Sequence, residues 1–401
     1  MNNVRKKIGF IKNRIINLCG FPFYYFFKFF PRRNNLWVFG SGFGYADNSK
    51  YLFEEVVETH PEIDAVWITI KKNDARLLRN KGIKAYWKNS IRGFIILARA
   101  KVYIYTGRTN DIKYVTSGGA FKFCLWHGVL IKEIEFLISK GPLLKRYNHS
   151  LGSRIDFACC YQKPDLLLTT GMVGSVFLRK SMLLDEEHTI LNIYPRCKLF
   201  IESKEKQLSY LKQCGGILFD LYNVVSNYRK TYIYMPTFRD AHPFYLNEAI
   251  ADFSRLNHVL KTCDAYFILK VHPNSLKYIK GGQNFSNIYI LRENIDIYPL
   301  LPFIDVLITD YSSIYFDYLY LRKEIILFPF DQIRYESEDR PFVVNYDKDI
   351  IGKRVYSFNE LLDVVSMNID CHLSSTEYDE MIEKYGSNNN IDLADYIMHK
   401  L

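Results

Sequence analysis

The chain has 401 residues, 48% hydrophobic and 24% charged, with a formal net charge of +10. Such a length exceeds one typical core and favours two globular domains, while the positive balance points to nucleic acid, a membrane surface or a phosphorylated substrate as partner. The eight cysteines (19, 124, 159, 160, 197, 214, 263, 371) form no C-x-x-C pair, which excludes a disulfide framework and a zinc finger and reads as reduced core thiols.

Residues 1–33 stand apart. They carry eight Lys/Arg and no acid, so little of the excess charge remains for the rest of the chain. Within them Phe21–Phe30 (FPFYYFFKFF) is almost wholly aromatic, too short to span a bilayer and interrupted by Pro22 and Lys28. It also lacks the cleavage site of a signal peptide. A basic aromatic segment suits the surface of an anionic membrane. The alternative is a basic arm whose rings pack on the body of the protein.

Leu36–Phe39 reads as a strand running into the glycine turn Gly40-Ser41-Gly42-Phe43-Gly44, after which Asp47-Asn48-Ser49 caps a helix through Val57. Glycines there let a ligand approach the backbone, but the GxGxG spacing is not the dinucleotide fingerprint. Strand candidates follow at Ala65–Ile70, Val102–Tyr105, Phe123–Trp126, Leu166–Thr169 and Ile190–Ile193. A second series begins beyond 201–228, at Tyr232–Met235, Phe267–Val271, Ile288–Leu291, Val306–Thr309 and Ile325–Phe328. Alternating strands and helices in both halves predict an α/β chain with two parallel-sheet domains. Ligands in such folds sit at the carboxyl ends of strands. Gly40–Gly44, His127-Gly128, Pro236–Asp240, His272-Pro273-Asn274 and Asp310–Ser313 all fall there, which suggests a cleft between the domains.

Several of these residues suit chemistry. His127 after its strand fits a general base, or a structural histidine. Lys132 fits an anion, or the solvent. His272 before Pro273 fits a phosphate donor. Arg239 fits the same phosphate bidentately, or a surface carboxylate such as Asp240. Ser312 and Ser313 place hydroxyls where the helix Ile314–Leu321 begins, as caps or as a phosphate cradle, and Asp317 lies one turn in, in reach of a ribose hydroxyl. His127, His242 and His272 lack the close spacing of a metal site, and no metal is expected. No GxSxG, P-loop or kinase set is present. The charge is too concentrated, and RNP and zinc-finger motifs too absent, for a nucleic-acid binder.

The motifs LWHGVLIKEI, YMPTFRDA, LKVHPN and DVLITDYSSIYFDYLYLRKEIILFPFD, in this order, resemble the CDP-glycerol glycerophosphotransferase family of teichoic-acid primases and polymerases, and WVFGSGFGYADNSKYLFEEV resembles its opening motif. The resemblance covers about Leu36 to Asp331. It implies a GT-B fold, two Rossmann-like domains with the active site in an interdomain cleft. On that reading 1–33 is the membrane-associating segment, 34–200 the acceptor domain, 201–228 a linker, 229–365 the CDP-donor domain and 366–401 a helical tail. It implies transfer of a polyol phosphate from a CDP-polyol, glycerol or ribitol, to a hydroxyl of a lipid-linked or glycan acceptor. CMP is released at the cytoplasmic membrane face, with no cofactor and no metal. His127 is then the base and His272 a donor-phosphate contact. Arg239, Asp310, Ser312 and Ser313 form the phosphate cradle, Asp317 holds the ribose, and Gly40, Gly42, Gly44, Asn48 and Lys132 lie on the acceptor side. Departures from the family pattern fall at Val129-Leu130, at Ile193-Tyr194-Pro195-Arg196-Cys197-Lys198, at Lys323-Glu324 and at Arg340-Pro341, mostly on the acceptor side. A GT-B glycosyltransferase using a nucleotide sugar is the alternative on the same architecture.

Overall fold

The computed structural model describes residues 14, 18, 20–141, 143–239, 241–279, 285–293 and 295–401. The chain divides into two compact units: residues 1–127, 134–196 and 387–401 in the first, and residues 128–133 and 197–386 in the second.

The first unit is built on a seven-stranded sheet in the order β3-β2-β1-β4-β5-β6-β7. The strands are β1 Arg33–Gly40, β2 Asp64–Thr69, β3 Ala85–Trp87, β4 Ala100–Tyr105, β5 Phe121–Cys124, β6 Leu166–Thr169 and β7 Thr189–Leu191. Every pairing is parallel. Parallel strands are covered on both faces, so their apolar residues run continuously rather than alternating. Val38, Phe39, Val102, Ile104 and Leu166–Leu168 accordingly carry no exposed surface.

Residues 20–28 are helical, and the helix has two faces. Phe27 is buried against Phe94, and Tyr24 stacks on Tyr114 with ring centroids 5.1 Å apart. Gly118 permits this approach, since a Cβ there would stand 2.0 Å from the Tyr24 carbonyl oxygen. Arg32 pins the end of the segment by donating to the carbonyls of Ala100 and Thr116. Phe21, Phe23, Phe26 and Phe29 on the other face are exposed. The packed face agrees with the reading of an arm whose rings lie on the body of the protein. Lysines and arginines 5, 6, 7 and 12 lie outside the described residues.

The second unit holds a six-stranded sheet, β10-β9-β8-β11-β12-β13. Its strands are β8 Lys230–Tyr234, β9 Ala265–Lys270, β10 Ile288–Leu291, β11 Val306–Thr309, β12 Glu324–Leu327 and β13 Lys353–Arg354. All pair in parallel. The helices Phe253–Thr262 and Phe358–Ser366 lay Leu256, Leu260, Leu361 and Val365 against Phe267, Leu269 and Ile308 to form its core.

Two boundaries differ from the sequence expectation. The expected linker 201–228 is two helices, Lys204–Cys214 and Gly216–Val225, joined at Gly215 and Gly216, both with positive φ. The expected tail is divided. Helix Ser375–Tyr385 belongs to the second unit, whereas residues 387–401 return to the first. There the Asn192 side chain both donates to the Ile391 carbonyl and accepts from its N–H, at 3.0 and 2.9 Å, completing a backbone-like pair beyond β7.

Candidate active site

In the first unit the strand order reverses between β1 and β4, the position at which open parallel sheets bind ligands. The turn after β1 is tight because residues 107–112 pack on it. A Cβ on Gly40 would lie 2.9 Å from Ile112, and one on Gly42 would lie 2.9 Å from the Asp111 carboxylate. Asp111 accepts from the N–H groups of Gly107 (2.7 Å) and Arg108 (3.3 Å). Burial raises its carboxyl above the ordinary range, against the pull of those donors. Gly44 has φ +90° and open space around it.

Phe43, in the same turn, makes a T-shaped contact with the His127 ring, centroids 5.5 Å apart. His127 follows β5 by way of Trp126, whose φ of +53° is left-handed. A side chain held there costs on the order of 1–3 kcal/mol and needs support from its surroundings. Support comes from two side chains. Asn48 donates to the Trp126 carbonyl at 2.9 Å, and Arg196 donates to the His127 carbonyl at 3.0 Å. Arg196 is in turn paired with Asp47 at 2.5 Å. The imidazole itself is half-buried.

In the second unit the order reverses between β8 and β11. The loops leaving these strands are joined by a buried charge network. Arg239 has no exposed surface. It meets Asp331 with two parallel hydrogen bonds (3.0 and 2.8 Å) and Asp310 at 2.8 Å. Asp310 also accepts from the N–H groups of Thr237 and Tyr311. The rings of Tyr245, Tyr311, Phe330 and Tyr335 surround the guanidinium. Burial opposes the charge, but the two carboxylates outweigh it and hold Arg239 protonated well beyond its usual range. Next to Arg239, Phe238 packs its ring on His272 with centroids 4.9 Å apart. His272 follows β9 and is exposed. Ser312 and Ser313 follow β11, both half-buried, and among the described residues neither hydroxyl has a hydrogen-bond partner.

These loops belong to a chain whose residues 23–398 match the family model described as CDP-Glycerol:Poly(glycerophosphate) glycerophosphotransferase. The chain belongs to this family. Among its relatives is the teichoic acid glycerol-phosphate transferase of Staphylococcus aureus, 26% identical over 374 residues, covering 88% of this chain and 90% of that protein. The teichoic acid poly(glycerol phosphate) polymerase of Bacillus subtilis is 24% identical over 387 residues, covering 93% of this chain; this chain spans only 48% of that polymerase. The structure of the wall teichoic acid polymerase TagF aligns with a TM-score of 0.73 at 21% identity, over 100% of this chain and 97% of that one. A variant of TagF soaked with CDPG aligns with a TM-score of 0.71 at 20% identity. The expected GT-B class, with two parallel α/β sheets, agrees with this fold. As a member of the glycerophosphotransferase family the protein is a transferase.

Within this family member several expected roles are corrected by geometry. Arg239 and Asp310 do not present their charges to a phosphate, because those charges are spent on each other and on Asp331; Asp240 lies outside the described residues. Asp317 is buried, and its oxygens accept from the Tyr298 hydroxyl and, at 3.3 Å, from the Cys197 thiol rather than facing outward for a ribose. Gly40 and Gly42 admit the close approach of Ile112 and Asp111. Asn48 is fully buried and serves the main chain before His127. Lys132 lies in the second unit, in the segment that pairs with residues 341–343, and its ammonium sits 5.7 Å from the Tyr335 ring centroid. Ser313 is the N-cap residue of the helix Ile314–Tyr318 without a side-chain cap bond, and the helix Asp47–Thr59 begins likewise without one.

Asp111, Arg196, Phe43 and Asp331 were given no role in the sequence, and Asp47 only that of a helix cap. Their partners lie 20 to 149 residues away or depend on a turn, so spacing carried no signal. Among the described residues two groups have metal-ligand spacing, His60 with Asp392 and Asp395, and Glu324 with Asp370 and His372. Carboxylates already face both nitrogens of His60, and Lys230 pairs with Glu324 at 2.7 Å. Neither group includes His127 or His272.

Proposed function

We propose that the protein transfers glycerol phosphate, or another polyol phosphate, from a CDP-polyol to a hydroxyl of a lipid-linked or glycan acceptor in teichoic-acid-like, capsule or surface-polysaccharide synthesis. His127 takes the proton of the acceptor hydroxyl. The oxygen so freed bonds to the phosphorus that bears the polyol, the bond from that phosphorus to the bridging oxygen breaks, and CMP leaves with the electron pair. His272 and the hydroxyls of Ser312 and Ser313 donate to the phosphate oxygens as charge gathers on them. Such transfers depend mainly on positioning and electrostatic stabilisation. Arg239 and Asp310 contribute indirectly, by fixing the loops that carry Phe238 and the two serines.

The observation that carries this reading is His127 itself, a half-buried imidazole at a strand's carboxyl end on a main chain fixed by two side chains. The family description, which names CDP-glycerol and poly(glycerophosphate), and the teichoic-acid names of the relatives support this choice of donor and acceptor class. No helix of the described residues is long and apolar enough to cross a membrane. The exposed phenylalanines beside Lys28 and Arg33 support peripheral attachment to an anionic membrane surface.

The test is CMP release from CDP-glycerol and CDP-ribitol with lipid-linked and free glycan acceptors. Replacing His127 by Ala should lower kcat at least about 100-fold, the usual contribution of a general base. Release unchanged in the variant would remove His127 from the chemistry. No release with either donor, alongside tighter binding of UDP or GDP than of CDP, would move the reading to sugar transfer.

A further inference from the structure

The proposed base is held by a device that the reaction does not itself require. Arg196 is 3% exposed and its guanidinium joins two groups, the Asp47 carboxylate at 2.5 Å and the His127 carbonyl oxygen at 3.0 Å. Asp47 takes up its position at φ +65°, a conformation uncommon for a non-glycine residue. Its Oδ1 also accepts from the Asn48 N–H at 2.7 Å. Asn48, fully buried, donates to the Trp126 carbonyl at 2.9 Å and accepts from the Arg196 N–H at 3.4 Å. Two side chains from distant stretches, Asn48 and Arg196, thus close on two consecutive carbonyls, those of the left-handed Trp126 and of His127, with Asp47 holding Arg196 in place. On the ring side Phe43 and Trp126 flank the imidazole, with centroids 5.5 and 4.2 Å away.

From this geometry we infer that the Arg196–Asp47 pair is a positioning device for His127: it holds the strained turn at Trp126 and so sets where the imidazole points. The inference rests on the reading of His127 as the base. Arg196 and Asp47 touch no substrate on this account. The planar guanidinium fork spans both acceptors, whereas a lysine ammonium is a single point and does not reproduce that bridge. Loss of the bridge lets the main chain relax from its strained conformation and moves the ring.

The experiment compares Arg196→Lys, Asp47→Asn and Arg196→Ala with wild type, using CDP-glycerol as donor and, as acceptor, the lipid-linked or free glycan on which the wild type releases CMP. Misplacement of a catalytic group by about 1 Å can cost about 100-fold. For Arg196→Lys and Asp47→Asn we expect kcat to fall about 10- to 100-fold with KM for CDP-glycerol within about twofold of wild type. Millimolar guanidinium should restore part of the kcat of Arg196→Ala, as a free fork reoccupies its place. Wild-type kcat in both conservative variants would overturn the inference. So would a joint loss of kcat, donor affinity and melting temperature without guanidinium rescue, which marks general destabilisation. His127→Ala is measured alongside. If it keeps wild-type kcat, the reading of the base has failed; if it is inactive while the other variants are normal, only the positioning role has failed.

Discussion

A guanidinium with no exposed surface persists only where its charge is matched, and Arg239 is matched by Asp310 and Asp331 in a ring of aromatic side chains. From the sequence an arginine after a strand in MPTFRD suits a phosphate; the second carboxylate, 92 residues on, decides otherwise. Removing one member of such a network leaves buried charge without a partner. Arg239→Met should therefore cost about 3–5 kcal/mol of stability. In thermal melts this amounts to a fall of roughly 10 °C for a unit of this size. CDP binding should decline only as the folded fraction does. A normal melting temperature with weakened CDP binding would return Arg239 to the phosphate. The positions of His127, His272, Ser312 and Ser313 beyond strand ends were legible because each follows a recognisable apolar strand. Asp317 was not, since helical spacing places it on a face but does not say whether that face is covered.

At the scale of elements, eleven strands were legible as apolar runs, and β3 and β13 were not. These two are edge strands of three and two residues, Ala85–Trp87 and Lys353–Arg354, and owe their pairing to a neighbour rather than to their own composition. The C-terminal helix Leu393–Lys400 was visible as a helix but not as part of the first unit. Asp392 caps it by accepting from the N–H groups of Ala394 and Asp395, and its other oxygen meets His60 at 3.0 Å. Glu62 faces the second ring nitrogen of His60, also at 3.0 Å. Burial works against the charged ring, but the hydrogen bonds to Asp392 and Glu62 outweigh it, so the His60 pKa is raised. A raised pKa stabilises the fold fully below the unfolded value, near 6.5, and the contribution is lost as pH rises through the folded value. Hydrogen exchange in residues 387–401 should accordingly quicken between pH 6 and pH 8 relative to the sheet core, after correction for intrinsic rates. His60→Gln should flatten that difference. Equal protection at both pH values in the wild type would show that the clamp does not depend on charge.

For the whole molecule, charge is placed unevenly, with a basic, acid-free run in residues 1–33. The helical part of that run is anchored by Phe27, Tyr24 and Arg32, so deleting it would disturb β1 and β4 as well as any membrane contact. Substitution on the exposed face separates the two effects. Replacing Phe21, Phe23, Phe26 and Phe29 by Ser should leave the melting temperature within about 2 °C, because exposed positions contribute little to stability. It should weaken co-sedimentation with anionic vesicles by at least about tenfold, since burying an aromatic side chain is worth on the order of 2 kcal/mol. Unchanged co-sedimentation would remove this face from any membrane contact.

Sequence alone determined the fold class, the two parallel sheets, the order of the loops at their carboxyl ends and the family resemblance. These depend on local periodicity and on motifs that stay contiguous in the chain. Tertiary structure alone decided which polar side chains remain available. Arg239, Asp310 and Asp317 have the residue types of ligand contacts, yet long-range pairing consumes them. Arg196 and Asp47, 149 residues apart, gain a role only because folding closes them on the turn that carries His127. The physical reason is that a charge brought out of water must find a partner, and for a buried group that partner is supplied by topology, not by neighbours in sequence.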